Sequence, residues 1–317
     1  MTSNFKEISN EFPRNMVLLL IATTIFFILS RILIIYFDFP YLIEASRDND
    51  FRNLVRWNQN GLENFPPYYL YFWYFIFFPF GVLESFISML IWDILRLIVT
   101  SYVAYKAYFM ITYRIDQLAI YLFIYIGFIN DAYYGNCNFV VMLFFFLSYK
   151  YLEKDQKWAS GIFFALATFK INSIIYLPVL LILKKIKLKE VFYYLIPFGI
   201  LLLPYLIFPD YTIQLIINWS KITPGIGGTA PAASTSADAL ASIITLFNSI
   251  LTKAVQPSQF LYFSIIIMIF LQSIINNKRH TQIRKALFAL IAIFSIYIVI
   301  FAWLIPLFTY YIWLVPS

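Results

Sequence analysis

The chain has 317 residues, 62% hydrophobic and 12% charged. Soluble globular domains hold roughly 45–50% and 25%, so a soluble fold is excluded. The net charge of +7 comes with one cysteine and one histidine, Cys137 and His280. These numbers exclude an internal disulfide, a cysteine metal site and a histidine-based zinc or haem centre.

A membrane-crossing helix needs about 20 mostly apolar residues. In chain order the apolar runs are 16–37, 67–80, 83–105, 118–129, 139–152, 158–169, 171–183, 191–208, 258–275 and 286–305, with a shorter one at 240–251. They predict an all-α, polytopic membrane protein of about 8–11 transmembrane or partial helices. The first run follows a polar start of 15 residues and lacks a small-residue cleavage site, so it reads as a retained helix. The run 67–105 holds more apolar length than one span needs, and Pro66, Pro67 and Pro79 predict a partial or re-entrant helix there. The run 158–183 is short for two crossings and predicts two short helices meeting at Lys170. The whole of 1–317 is expected to be one membrane domain.

Polar interruptions fall into two kinds. Fifteen of the 23 basic residues lie in five clusters: Lys6 and Arg14; Lys106 and Arg114; Lys150, Lys154 and Lys157; Lys184, Lys185, Lys187 and Lys189; and Lys278, Arg279, Arg284 and Lys285. The positive-inside tendency puts all five, and the N-terminus, in the cytoplasm. Short clusters bounded by apolar helices argue against a nucleic-acid surface. The other interruptions, 38–66, 130–138, the turn near Lys170 and 209–238, then face outward. The first of these packs eight charges between Asp38 and Glu63 and is the candidate catalytic loop. The stretch 209–238, rich in Gly, Pro, Ser, Thr and Ala, predicts a flexible outer loop.

Candidate chemistry follows the same order. Arg31, Asp93 and Arg96 are ionisable residues within apolar runs, which marks them as functional suspects. Arg31 is close enough to its helix end to snorkel outward. Asp93 and Arg96, three apart, can neutralise one another. Asp38 sits at the apolar–water boundary, where partial removal from water makes a carboxylate a better base; it can equally just end the helix. Asp48-Asn-Asp50 lies between Arg47 and Arg52, which favours local ion pairing over a metal or diphosphate motif. Asp131 to Asn138 is read as opening the next helix. There Asn136 or Asn138 is either an N-cap or a donor of amide groups to sugar hydroxyls. Lys170 has no acidic neighbour in sequence and can either snorkel or hold a phosphate as a point charge. Tyr310, Tyr311 and Trp313 fit an interfacial aromatic belt. Nothing calls for a metal, a divalent cation or another cofactor.

These segments together resemble the GT-C superfamily of integral-membrane glycosyltransferases, in particular the polyprenyl-phosphate-mannose-dependent mannosyltransferases. The resemblance rests on Asp38-Phe39-Pro40-Tyr41 with Ala45-Ser46, Phe65-Pro66-Pro67-Tyr68, Gly135-Asn136-Cys137-Asn138, Ala165 to Lys170 with a later Pro178, and Thr309 to Pro316. Asn136 stands where the family pattern has Gln, Ile171 where it has Pro, and the ending lacks its Gln. The resemblance implies a GT-C-like fold and an inverting transfer of a hexose, mannose by the nearest pattern. The donor would be a polyprenyl-phosphate sugar and the acceptor a lipid- or glycan-linked hydroxyl at the outer face of the cytoplasmic membrane. It further implies Asp38 as general base, Lys170 with Arg47 or Arg52 at the phosphate, and Asn136, Asn138 and Tyr310 as further donor or acceptor contacts. The absence of a nucleotide-phosphate loop suits a lipid-linked donor. A transporter or flippase for a lipid or small solute is the alternative. The sequence shows no internal repeat and gathers its polar residues at one face, which favours the enzyme.

Overall fold

A computed structural model describes residues 2–37, 51, 69–210, 212 and 259–274. Within them the chain folds into nine α-helices, two 3-10 turns and no strand beyond one isolated bridge. The all-α, polytopic reading holds. The runs at 240–251 and 286–305 lie outside the described residues.

Helix α1 spans Thr2–Phe37. It starts well before the apolar run because a helix closes its backbone hydrogen bonds internally, whatever its side chains. At 1.5 Å per residue its 36 residues measure about 54 Å, and its membrane-compatible part is Phe12–Leu33. Helix α2, Trp73–Gly81, is only nine residues long and contains Pro79, so the expected partial helix is present. The chain breaks at Val82 to Glu84, where the Glu84 side chain accepts from the Phe86 N–H at 3.4 Å and caps α3, Ser85–Met110. The Ser88 hydroxyl donates back to the Phe80 carbonyl at 2.8 Å, tying α3 to α2.

Helix α4 runs Arg114–Tyr134 and α5 runs Asn138–Glu153. The turn between them is therefore shorter than the 130–138 loop read from sequence. Asp131 closes α4 and does not open α5. The polar residues there are helical because Gly135, at φ 66°, reverses the chain in the left-handed region where glycine is unstrained. Its N–H and that of Asn136 both reach the Asp131 carbonyl. Helix α6, Lys157–Ala167, stops before Lys170. A 3-10 turn at Ile171–Ile175 leads into the seven-residue α7, Tyr176–Ile182, so two short helices do meet at Lys170. Helix α8 is Phe192–Ile207 and α9 is Phe260–Ile274.

Packing orders these helices by enclosure. Among the four helices long and apolar enough to span a membrane, α4 is the most enclosed, with 72% of its apolar stretch buried, whereas the span ending in α8 is 11% buried and presents an apolar face outward. Helix α5 packs against α6 and α9, α9 also against α4, and α6 against α8. A β-carbon at Gly161 would collide with the Tyr193 carbonyl oxygen, so glycine permits the close approach of α6 and α8. The Ser160 hydroxyl, bonded to Ser148 at 3.1 Å and to the Tyr194 hydroxyl at 2.9 Å, adds a polar contact across α5, α6 and α8.

Two ends can be told apart by their chemistry. At one, the Gln272 amide donates to the Met110 carbonyl at 2.6 Å and accepts from the Tyr149 hydroxyl at 2.7 Å. Lys185 joins Tyr149 at 3.0 Å and Glu153 at 3.4 Å, and Lys157 pairs with Glu190 at 2.9 Å. The basic turns after α3, α5 and α7 thus gather at this end. The α4–α5 turn, Lys170 and the last turns of α1 lie at the other.

Candidate functional site

At the end away from the basic turns, four buried ions form a continuous chain across three helices. Arg31 of α1 donates through Nη1 to Asp93 Oδ2 at 2.5 Å. Arg96 donates through Nη1 to Asp93 Oδ1 at 2.5 Å and through Nε to Asp131 Oδ2 at 3.0 Å. The i,i+3 pairing of Asp93 with Arg96 is the one expected from their spacing. Arg31 does not snorkel: it is buried and turned inward to Asp93. The reason is energetic, because a buried guanidinium beside an equally buried carboxylate replaces lost hydration with charge-assisted hydrogen bonds.

Asp131 carries the chain onward to α5. Fully buried, its Oδ1 accepts the Asn138 backbone N–H at 3.0 Å. A carboxylate at a helix N-terminus satisfies an orphan donor and complements the helix dipole. Neither Asn136 nor Asn138 is therefore the N-cap: Cys137 holds that position without a side-chain cap bond, and Asn138 is the first helical residue. The Asn136 carbonyl accepts from Trp92 Nε1 at 3.2 Å and from Arg96 Nη2 at 3.3 Å. Its side-chain oxygen accepts from the Cys137 N–H at 2.8 Å.

Lys170 completes the arrangement. Its backbone forms an antiparallel bridge with Tyr69, and the Leu70 N–H donates to the Phe169 carbonyl at 2.9 Å. This short pairing fixes the connection before α2 against the α6–α7 junction. The Lys170 ammonium, in a residue 7% exposed, donates to Asn136 Oδ1 at 2.5 Å and Asn138 Oδ1 at 2.7 Å. It also lies 5.2 Å from the Tyr69 ring centroid, within cation–π range. Among the described residues no carboxylate is within ion-pair distance of it. The Asn138 Nδ2 is a buried donor with no hydrogen-bond partner. An ammonium paired only with neutral oxygens, beside an unused amide, favours an anion with acceptor oxygens.

Three of the residues singled out from sequence, Lys170, Asn136 and Asn138, are thus in direct contact. Asp38, Arg47, Arg52 and Tyr310 lie outside the described residues. Phe51 alone represents the charged excursion, buried against Trp92 (centroids 5.5 Å), Phe80 (6.0 Å) and Phe77 (6.4 Å). Trp92 is itself bonded to Asn136, so this anchor is one side chain from the lysine cluster. Sequence reasoning missed Asp131 as a partner of Arg96 and Tyr69 as the ring under Lys170. A signal for Asp131 was present: Asp93 alone cannot balance both Arg31 and Arg96 in an apolar interior. Among the described residues no group of three or more His, Cys, Asp and Glu side chains could hold a metal ion.

No curated protein and no solved structure matches the chain. The model of glycosyltransferase family 87 does, over residues 68–296, a stretch that includes Asn136, Asn138 and Lys170 and makes up more than two thirds of the chain. The match covers the helical bundle and the lysine cluster at its end: the chain belongs to glycosyltransferase family 87, membrane glycosyltransferases of the GT-C type.

Proposed function

We propose that this glycosyltransferase moves a hexose, mannose by resemblance, from a polyprenyl-phosphate carrier to a lipid- or glycan-linked hydroxyl. The reaction runs at the outer face of the cytoplasmic membrane, with the N-terminus and the basic turns in the cytoplasm. One observation carries the reading: the Lys170 ammonium, buried with no carboxylate at ion-pair distance among the described residues, beside the unpartnered Asn138 amide, at the end opposite the basic turns. Those turns belong inside by the positive-inside tendency, which gives the lysine end access to an outer-leaflet donor.

In this reading Asp38 takes the proton from the acceptor hydroxyl. The acceptor oxygen attacks the anomeric carbon as the bond from that carbon to the phosphate oxygen breaks, so the configuration inverts. The bond's electron pair leaves on the polyprenyl phosphate, whose charge Lys170 meets, with Arg47 or Arg52 as its second cation. Positioned positive charge at a departing phosphate lowers the barrier because it stabilises charge that develops in the transition state. Asn136, Asn138 and Tyr310 offer hydrogen bonds to the sugar or acceptor. No cofactor is needed for these steps.

The test is sugar transfer in membranes containing the full chain, supplied with labelled polyprenyl-phosphate mannose. Transfer is expected with the wild type and lost in Asp38→Asn, with insertion unchanged. Wild-type turnover by Asp38→Asn removes Asp38 as base. Transfer from a nucleotide sugar but not from the lipid phosphate overturns the donor assignment.

A further inference from the structure

The ion chain does more than neutralise buried charge. We infer that Arg31, Asp93, Arg96 and Asp131 form a strut that positions the end of α1, the residue before Asp38, relative to Lys170. The inference rests on the reading of Asp38 as base. Both oxygens of Asp93 are engaged, one by Arg31 from α1 and one by Arg96 from its own helix. Arg96 is fixed in turn by Asp131 and the Asn136 carbonyl. Asp131 holds the first turn of α5, and Asn136 and Asn138 grip Lys170. Every link from Arg31 to Lys170 is therefore a directional hydrogen bond between buried groups.

Helix α1 needs such a link. Only 28% of its span is buried, and Ile25, Phe26, Leu29 and Leu33 are exposed along it. Inside a bilayer no hydrophobic force sets how an apolar helix surface sits on its neighbours, so packing and hydrogen bonds must do so. Toward its middle, α1 meets α4 through the Thr23 and Tyr125 hydroxyls at 3.2 Å. Nearer its end Arg31 pairs with Asp93. From Arg31 to Phe37 is about 9 Å of helix. A lateral shift at Arg31 is thus carried to the helix end, and Asp38 is the next residue. Arg31, Asp93 and Arg96 are positioning residues in this scheme, since they act on the reaction through Asp38.

Two readouts on the full-length protein in lipid nanodiscs test this. Spin labels at positions 37 and 134, in a Cys137→Ala background, report the distance between the ends of α1 and α4. Turnover of synthetic polyprenyl-phosphate mannose, with a membrane lipid extract as acceptor, is measured per folded molecule. Arg31→Met and Asp93→Asn are expected to broaden the distance distribution and lower kcat by about 10- to 100-fold, as ångström-scale misplacement of a reacting group does. Donor KM stays within about twofold, because Lys170 is untouched. Arg31→Lys keeps a cation at Asp93 and restores the narrow distribution and most of kcat, which also covers the case in which the other variants fail to fold. An unchanged distance in Arg31→Met, or a kcat loss matched by an equal rise in KM, overturns the strut. Failure of the donor assignment looks different: the wild type itself leaves the donor unconsumed, and the distance measurement then decides alone whether the ion chain sets the end of α1.

Discussion

Asp131 is where the ion chain can be tested without any substrate. In Asp131→Asn the side-chain shape is kept and Oδ1 can still accept the Asn138 N–H, 3.0 Å away in the wild type. What is lost is the negative charge 3.0 Å from Arg96 Nε. Removing one member of a buried ion pair costs about 3–5 kcal/mol, because the other is left buried and under-compensated. Here Arg96 keeps Asp93 at 2.5 Å and the Asn136 carbonyl at 3.3 Å, so the lower end, about 3 kcal/mol, applies. Adding Arg96→Met removes the stranded guanidinium, while Asp93 keeps Arg31. The double variant should therefore lose less than the two single losses added, by a coupling of about 2 kcal/mol. The assay is equilibrium unfolding in mixed micelles of increasing SDS fraction, run on wild type, both single variants and the double. Additivity within about 0.5 kcal/mol refutes the claim that the two residues act as a pair. So does a loss below about 1 kcal/mol in Asp131→Asn, a value ordinary for a neutral hydrogen bond.

Two further pairs of substitutions, at glycines and at Lys170, have expected outcomes. Gly161→Ala forces α6 and α8 apart at the Tyr193 carbonyl and should cost about 1–3 kcal/mol, read as a lower unfolding midpoint in detergent. Gly199→Ala, whose β-carbon meets nothing within 4 Å, should leave that midpoint unchanged or raise it. On the proposed reading, Lys170→Met removes a charged hydrogen bond to the donor phosphate and should lower kcat/KM by about 10- to 100-fold. Lys170→Arg should not restore it, because the two asparagine oxygens are spaced for a compact ammonium. Wild-type kcat/KM in Lys170→Met would place the phosphate elsewhere.

The class of fold was legible because hydropathy is a property of whole segments. The breaks around α2 and Lys170 were also legible, since Pro79 and the short length of 158–183 are local facts. Boundaries were not. Helix α4 runs through Asn130 and Asp131, which read as loop residues: the Asn130 amide donates to the Ile126 carbonyl one turn back in the same helix, whereas the Asp131 carboxylate finds its partners only once α3 and α5 are packed around it. The direction of Arg31 was illegible for the same reason: snorkelling and inward pairing use the same sequence, and Asp93, 62 residues away, decides between them. Lys170, Asn136 and Asn138 were each visible as odd polar residues. That they touch is tertiary information, carried by the Tyr69–Lys170 bridge and the left-handed Gly135.

The balance of charge at this end joins the two halves of the argument. Arg31, Arg96, Asp93 and Asp131 sum to zero, so the strut can be buried without attracting a ligand of its own. Lys170 hydrogen-bonds to the two asparagines, and neither Asp93 nor Asp131 reaches it at ion-pair distance. Had Asp131 reached Lys170 directly, the ammonium would be neutralised and a phosphate would have to break a buried salt bridge to bind. The Asn138 N–H and Arg96 instead occupy both Asp131 oxygens. The carboxylate that accepts the first N–H of α5 thus makes its hydrogen bonds to Arg96 and Asn138 and none to Lys170, which leaves the ammonium's hydrogen bonds to the two asparagines.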